Sequence, residues 1–275
     1  MSFKKILFLL FPPIFLNLFR MSRVKFANYF NLKIENAYKN SEFIDFYLES
    51  NDIRQKELES FANLEMHEIT RGVGILLLKN NKIINVLDFG GGGGNLFHAM
   101  RRFLPKLQFN WGVVDTPELV QQIHSRLQKN FDNSLRSSNL EFFTSIESLV
   151  LKFKKVDIII ASSSIQYLED PYAKLNELLS LGAHVLQISR MPLTHLDNLL
   201  QLTQTSNLMD NGPSRKSRSV EKNILITNKV YIPNIVKFKN IIEKHYAHCV
   251  ILTETNNPFL NSSHQTNMYS IIAYN

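Results

Sequence analysis

The chain has 275 residues, 44% hydrophobic and 20% charged, an ordinary globular composition with room for one large domain and additions. Cys249 is the sole cysteine, which excludes a disulfide within the chain and fits a reducing cytoplasm. The net charge of +7 favours anionic partners.

Residues 1–20 open with Lys4 and Lys5 and continue as a nearly unbroken apolar run from Ile6 to Phe19. The pattern mimics a signal peptide. However, Pro12-Pro13 splits the run, no small-x-small cleavage site follows, and the run is shorter than the roughly 20 residues a membrane-spanning helix needs. Two readings stand. One is an interfacial anchor on the inner membrane face, with Lys4, Lys5, Arg20, Arg23 and Lys25 near anionic lipid. The other is a helix packed on the domain's own core, or an upstream start with Met21 as the true beginning. Helical spacing recurs at Ile44-Tyr47-Leu48 and Leu58-Phe61-Leu64, and Met66 to Leu78 is expected to be a helix leading into the first strand. Residues 1–80 are thus expected to form an apolar segment and helical cap ahead of a domain over 81–275.

Ile83 to Phe89 is apolar and rich in β-branched residues, and predicts a buried parallel strand. Five glycines follow, Gly90 to Gly94, and then helical spacing that puts Leu96, Phe97, Met100, Phe103 and Leu104 on one face. A strand, a glycine turn and a helix bring unpaired backbone N–H groups to a ligand. A dinucleotide fingerprint needs glycines at i, i+2 and i+5, and no register here supplies the last; the Gly-Lys-Ser/Thr of a P-loop is also missing. What fits is acid-x-Gly-x-Gly-x-Gly, from Asp88, Gly90, Gly92 and Gly94. This resembles motif I of the class I S-adenosylmethionine (SAM) methyltransferases. The resemblance implies an α/β fold: a Rossmann-like, seven-stranded, mostly parallel sheet with helices on both faces, plus an N-terminal helical extension. It implies SAM as cofactor, with Asp88, Gly90, Gly91, Gly92 and Gly94 around it. SAM carries a cationic sulfonium and an ammonium and no phosphate, which suits an acid at the strand end.

Leu107 to Asp115 predicts a second strand, again ending in an acid. Asp115 stands near the interval at which a Rossmann-like fold puts a carboxylate on ribose hydroxyls. Its other reading is an N-cap for the helix from Pro117 to Lys129, a task Thr116 can take instead. Trp111 reads as core packing. After a polar loop, Asn130 to Asn139, Leu140 to Phe143 predicts a short strand. Thr144 and Ser145 then either approach an adenine ring or cap a helix. Val156 to Ala161 predicts a strand ending in Ser162-Ser163-Ser164, followed by Ile165 to Pro171 and a helix from Tyr172 to Leu181. Ser162, Ser163, Gln166 and Tyr167 then lie beyond a strand's carboxyl end, where ligands of open parallel sheets sit. Tyr167 either faces the reacting methyl or packs with a tethered hydroxyl.

His184 to Ser189 predicts a fifth strand, Arg190 to His195 a turn, and residues 203–223, with Arg215, Lys216 and Arg218, a basic loop at the acceptor side. A helix from Asn234 to Tyr246 and two strands, His248 to Thr253 and Asn267 to Tyr274, complete the chain as a closing antiparallel pair. Val86 to Gly92, Trp111 to Pro117, Ser163 to Pro171 and Ser189 to Leu193 together resemble a family assigned as methyltransferases in bacterial surface-polysaccharide gene clusters. That family has an acid before the Arg where this chain has Ser189. The resemblance implies direct methyl transfer, with O-methylation favoured, to a sugar or other small acceptor in the cytoplasm. Candidate bases are His195 first, then Tyr167 and His98. No metal site is expected. A non-catalytic SAM-binding or membrane-associated assembly protein is the alternative. Nucleic acid is disfavoured, since no Asn-Pro-Pro-Tyr-type tetrapeptide follows the fourth strand and no RNA-binding module is appended.

Overall fold

A computed structural model describes residues 32–35, 43–45, 48, 83–129, 139–207, 224–254 and 266–275. In chain order the elements are β1 (Leu32–Glu35), β2 (Ile83–Phe89), α1 (Asn95–Phe103), β3 (Gln108–Val114), α2 (Pro117–Lys129), β4 (Leu140–Phe143) and α3 (Ile146–Phe153). They continue with β5 (Ile158–Ser162), a 3-10 turn (Ile165–Tyr167), α4 (Pro171–Leu179), β6 (Val185–Thr194), β7 (Leu200–Asn207), β8 (Ile224–Ile232), α5 (Ile235–Glu243), β9 (His248–Thr253) and β10 (Thr266–Tyr274).

The main sheet has seven strands in the order β4-β3-β2-β5-β6-β10-β9. Pairing is parallel from β4 to β6, and β10 runs antiparallel to both β6 and β9. This is the expected Rossmann-like arrangement with its closing antiparallel pair. Alternation of side chains along the strands gives two apolar faces. Ile84, Val86, Trp111, Val113 and Ile160 meet Phe97 and Met100 of α1 on one face. Leu87, Ile159, Leu186 and Ile188 meet Leu149 of α3, Leu175 and Leu178 of α4, and Phe238 and Ile242 of α5 on the other. Burial on both sides explains why the central strands read as continuous apolar runs. Local caps fix the helix starts: Asp170 accepts from the Ala173 N–H at 2.9 Å with Pro171 in the first turn, and Asn234 accepts from Lys237 N–H at 2.9 Å. Phe103, expected on the buried face of α1, is 54% exposed, because the face that packs on the sheet runs through Phe97, Met100 and Leu104, and Phe103 lies to its side.

Two expectations about the strands are overturned. Arg190 to His195 is not a turn after the fifth strand: β6 continues to Thr194 because β10 pairs with it from Val185–Tyr274 to Thr194–Thr266. The basic loop does not begin at 203, because Thr203 to Asn207 belong to β7, which pairs antiparallel with β8. Residues 208–223, including Arg215, Lys216 and Arg218, lie outside the described residues. With β1 parallel to β8, these strands form a second sheet, β1-β8-β7. Phe43, Ile44 and Leu48 are helical, and pack with Leu119 and Ile123 of α2 and Ile226 of β8. Residues 1–20, Leu58 to Leu64 and Met66 to Leu78 lie outside the described residues. No helix among the described residues is long and apolar enough to cross a membrane.

Candidate functional site

The chain leaves β2 towards β3 and β4 on one side, and later returns to add β5 and β6 on the other. The carboxyl ends of β2 and β5 therefore flank the switch point of the sheet, where the following turns diverge and leave a crevice. The glycine turn forms one wall and the residues after β5 the other.

Gly90, Gly92 and Gly94 have φ of 70°, 58° and 75°. Only glycine takes this region without steric cost. A Cβ on Gly90 would also lie 2.4 Å from the Cβ of Ser164, one on Gly91 2.4 Å from Asp88 Oδ2, and one on Gly94 2.8 Å from Leu140 Cδ2. The turn is thus pressed against the chain's own side chains. Its N–H groups are largely used within the fold: Gly90 donates to the Val114 carbonyl at 2.8 Å, Gly92 to Asp115 Oδ2 at 3.0 Å and Gly94 to the Gly91 carbonyl at 3.1 Å.

Asp88 and Asp115 have different surroundings. Asp88 is wholly buried beneath Gly91, and the Trp111 indole N–H donates to its Oδ2 at 3.1 Å. Trp111 itself is core, as expected. Asp115 follows β3 and joins the ends of three strands: its Oδ2 takes the Gly92 N–H, its Oδ1 takes the Thr116 N–H at 2.7 Å, and its own N–H donates to Phe143 O at 3.1 Å. Burial pushes the Asp115 carboxyl above the usual carboxylate range, opposed by the Thr116 and Gly92 hydrogen bonds. The cap of α2 falls to Thr116, whose Oγ1 accepts from Leu119 N–H at 3.4 Å. A carboxylate has about four lone-pair sites. Two on Asp115 serve the backbone, and the others can accept from a vicinal pair of hydroxyls.

Beyond β4, Ser145 is the cap of α3, accepting from Ser148 N–H at 3.2 Å. Thr144 is exposed and lines an open cleft of about 450 Å³ with Pro117, Val120, Phe142, Phe143 and Ser148.

The β5 wall is polar and strained. Ser163 and Arg190, neither of them glycine, both have φ of 51°, a conformation that costs on the order of 1–3 kcal/mol each. Hydrogen bonds hold them. Ser163 N–H donates to Ser189 O at 2.9 Å, and the Gln166 amide donates to Ser163 Oγ at 2.8 Å and to Arg190 O at 3.4 Å. Ser162 Oγ accepts from the Ser189 hydroxyl at 2.9 Å and from the Arg190 guanidinium at 3.3 Å. Gln166 is 2% exposed, yet among the described residues its Oε1 has no hydrogen-bond partner, and neither has the buried Oγ of Ser164. Tyr167 donates to Gln204 Oε1 on β7 at 3.3 Å, so the second sheet closes over this wall. Burial raises the Tyr167 pKa, opposed by Ser163 and the Arg190 charge.

Arg190 owes its conformation to a bulge in β6: Ile188 faces Ile271 and Met191 faces Tyr269, so Ser189 and Arg190 together oppose Ser270. Glu254 Oε1 fixes the bulge, accepting from Arg190 N–H at 2.8 Å and from the Ser270 hydroxyl at 2.6 Å.

The structure therefore brings together the glycine turn, Asp115, Thr116, Ser162, Ser163, Gln166 and Tyr167. It does not bring His195 to them. His195 is exposed past the end of β6, roughly 20 Å of extended chain beyond Ser189. His98 is half-buried in α1 with its ring edge-on to Phe97 at 5.3 Å; burial holds its pKa below the usual value, helped by Arg101 and Arg102. The sequence assigned no binding role to Ser164, Arg190, Gln204 or Glu254. Only the strand-end placement of Ser164 and Arg190 gave any signal for them.

No protein-family model matches the chain, and neither does any curated protein sequence. Among solved structures it is similar to a SAM-dependent methyltransferase from Clostridium acetobutylicum, at 12% identity and a TM-score of 0.46 over 83% of this chain and 98% of that one. It is similar to the methyltransferase domain of bacterial CtHen1-C, at 15% identity and a TM-score of 0.43 over 77% and 99% of the two chains. It is also similar to EvdMO1, at 10% identity and a TM-score of 0.42 over 74% of this chain, which spans 40% of EvdMO1. None of these likenesses bears on which molecule this chain binds.

Proposed function

We propose that the chain binds SAM in the crevice between the β2 and β5 turns and transfers its methyl group, preferably to an oxygen, of a sugar or other small molecule of surface-glycan biosynthesis. The observation that carries the reading is how the glycine turn is used. Gly92 N–H, which a phosphate would need, is bound by the Asp115 carboxylate at 3.0 Å. A second anion there would meet both a lost donor and a like charge. The same carboxylate suits a ribose diol and a cationic ligand. The crevice therefore favours a phosphate-free, positively charged nucleoside over a dinucleotide.

When bound, SAM supplies an activated methyl on a sulfonium, so the chain's contribution is chiefly alignment. Asp115 offers its remaining lone pairs to the ribose. Ser164 Oγ and Gln166 Oε1, buried and without partners among the described residues, offer hydrogen-bond positions on the opposite wall. Tyr167 stays protonated at neutral pH, since its pKa is raised above that of an ordinary tyrosine, and its one O–H is given to Gln204 Oε1, so it ties β7 to the crevice wall and does not act as a base.

The glycan role is supported by the motif set from Val86 to Leu193, and the net charge of +7 suits an anionic acceptor. A cytoplasmic location with peripheral contact to the inner membrane face through residues 1–20 belongs to the same reading. Calorimetry with SAM, its demethylated product and NADH tests the cofactor. Affinity for the first two and none for NADH is expected, and the reverse would overturn the reading. SAM binding without transfer of labelled methyl groups to any component of a cell extract would point instead to a non-catalytic SAM-binding protein.

A further inference from the structure

We propose that Arg190 and Gln166 form the subsite for the methyl acceptor, and that the acceptor is a hydroxylated small molecule carrying an anionic oxygen group, a carboxylate or a phosphate. This rests on the methyltransferase reading and adds to it the residues that select the acceptor.

Backbone strain in a folded chain persists only where its surroundings over-determine it. Here two strained non-glycine residues, Ser163 just past β5 and Arg190 in the bulge of the adjoining β6, are brought together, and the Gln166 amide bonds both of them. The bulge turns Arg190 back across the end of β5, where its guanidinium reaches Ser162 Oγ at 3.3 Å. Without the extra residue Arg190 would alternate along β6 like its neighbours. Arg190 is exposed, so a ligand in the crevice can reach its planar donors, which match a carboxylate or phosphate. The neighbouring acid, Glu254, has Oε1 engaged by the Arg190 N–H and the Ser270 hydroxyl.

Gln166 supplies the second, independent observation. Its amide nitrogen must face the Arg190 carbonyl, because a carbonyl only accepts. That orientation leaves Oε1 as the buried atom without a partner among the described residues, on a glutamine 2% exposed. A buried amide oxygen left this way is costly, and a hydroxyl donated by a ligand satisfies it. An anionic group for Arg190 and a hydroxyl for Gln166 define the acceptor class.

The test uses the full chain with SAM's demethylated product bound, and three probes that share one ring: glucuronate, glucose 6-phosphate and glucose. Binding is read by NMR titration. At least one anionic sugar is expected to bind ten-fold or more tightly than glucose, and which one does so separates carboxylate from phosphate. Arg190→Gln should abolish that preference, with the affinity for the demethylated product within two-fold of the wild type. Arg190→Lys, which keeps the charge, should restore part of the preference. Failure of the wild type to distinguish the anionic sugars from glucose, including no binding of any of them, would overturn the subsite. So would an unchanged preference in Arg190→Gln. Loss of the demethylated product from the wild type would instead bring down the methyltransferase reading. Gln166→Leu, whose thermal unfolding is monitored alongside, should weaken all three sugars together.

Discussion

The two walls of the switch-point crevice solve the same geometric problem with different residues. After β2 the chain reaches positive φ three times, at Gly90, Gly92 and Gly94, and glycine does so without strain. After β5, and in the adjoining bulge of β6, it does so at Ser163 and Arg190, where side chains must hold the backbone in place. The first wall is a packing device, close against Ser164, Asp88 and Leu140. The second retains polar side chains at a cost in strain, as expected where those side chains have a ligand to meet.

The first way to break this contrast is to put a side chain on the unstrained wall. Gly90→Ala places a Cβ 2.4 Å from the Ser164 Cβ at a φ of 70°. The left-handed conformation alone costs about 1–2 kcal/mol, and the overlap between the two turns adds a term of at least about the same size. A loss of roughly 3 kcal/mol or more in urea unfolding is expected. Ser164→Gly should recover the overlap part but not the conformational part. A fully additive double mutant would show that the two walls are not in contact.

Trp111→Phe comes next. It removes the indole donor from a carboxyl with no access to solvent, and leaves a small void in the core beside Phe97. A loss of roughly 2–4 kcal/mol is expected. SAM affinity should fall less than stability does, because Asp88 lies under the turn. A larger effect on binding than on unfolding would move Asp88 from the turn's support to the ligand.

Legibility in the sequence follows the same contrast. β2, the glycines, α2, β4 and β9 were readable because apolar runs and helical spacing are local patterns. Asp115 was readable as an acid ending a strand, but its grip on Gly92 N–H depends on the register between β2 and β3, which no local pattern states. The bulge at Arg190 was invisible for a related reason. It is defined by β10, about 80 residues later, and Ser189-Arg190 looks locally like a strand end. β7 was missed because its alternation stops after Leu200 and Leu202, leaving Thr203 to Asn207 polar on both faces, and its only partner among the described residues is β8. His195 was misplaced by the same error, since a turn after Ser189 would have put it by the crevice and a strand carries it away.

Asp115→Asn sharpens the role of the joint between β2, β3 and β4. An amide keeps one acceptor where the carboxylate had two, so one of the Gly92 and Thr116 N–H groups loses its partner, at a cost of about 1–2 kcal/mol. The pH dependence has a definite sign. The folded-state pKa of Asp115 is raised above the ordinary value of 3.8 by burial. Its proton is therefore held more tightly in the folded state, and the resulting stability is present below the unfolded pKa and lost as pH rises through the folded one. Unfolding of wild type and Asp115→Asn between pH 3 and 8 should show the wild type's advantage shrinking as pH rises from about 4, then levelling off. An advantage that grows with pH would mean that the hydrogen bonds outweigh burial.

The smallest expected effect bears most directly on the strained wall. At an ordinary exposed site glycine is less favourable than alanine by about 0.5–1 kcal/mol. At position 163, with φ of 51°, the order should invert. Ser163→Gly loses the hydroxyl that accepts from Gln166 at 2.8 Å but relieves the left-handed conformation, worth about 1–2 kcal/mol. Ser163→Ala loses the same hydrogen bond and keeps the strain. In both variants the Gln166 amide retains the Arg190 carbonyl as its acceptor, so the lost bond cancels in the comparison. Urea unfolding of the pair should therefore place Ser163→Gly above Ser163→Ala by up to about 1 kcal/mol, the strain relief less glycine's extra chain entropy. SAM affinity should be weaker in both than in the wild type if the polar wall must be held in one arrangement to bind. If alanine proved the better of the two, Ser163 would not be strained in solution, and the strain contrast at this position between the two walls would fall.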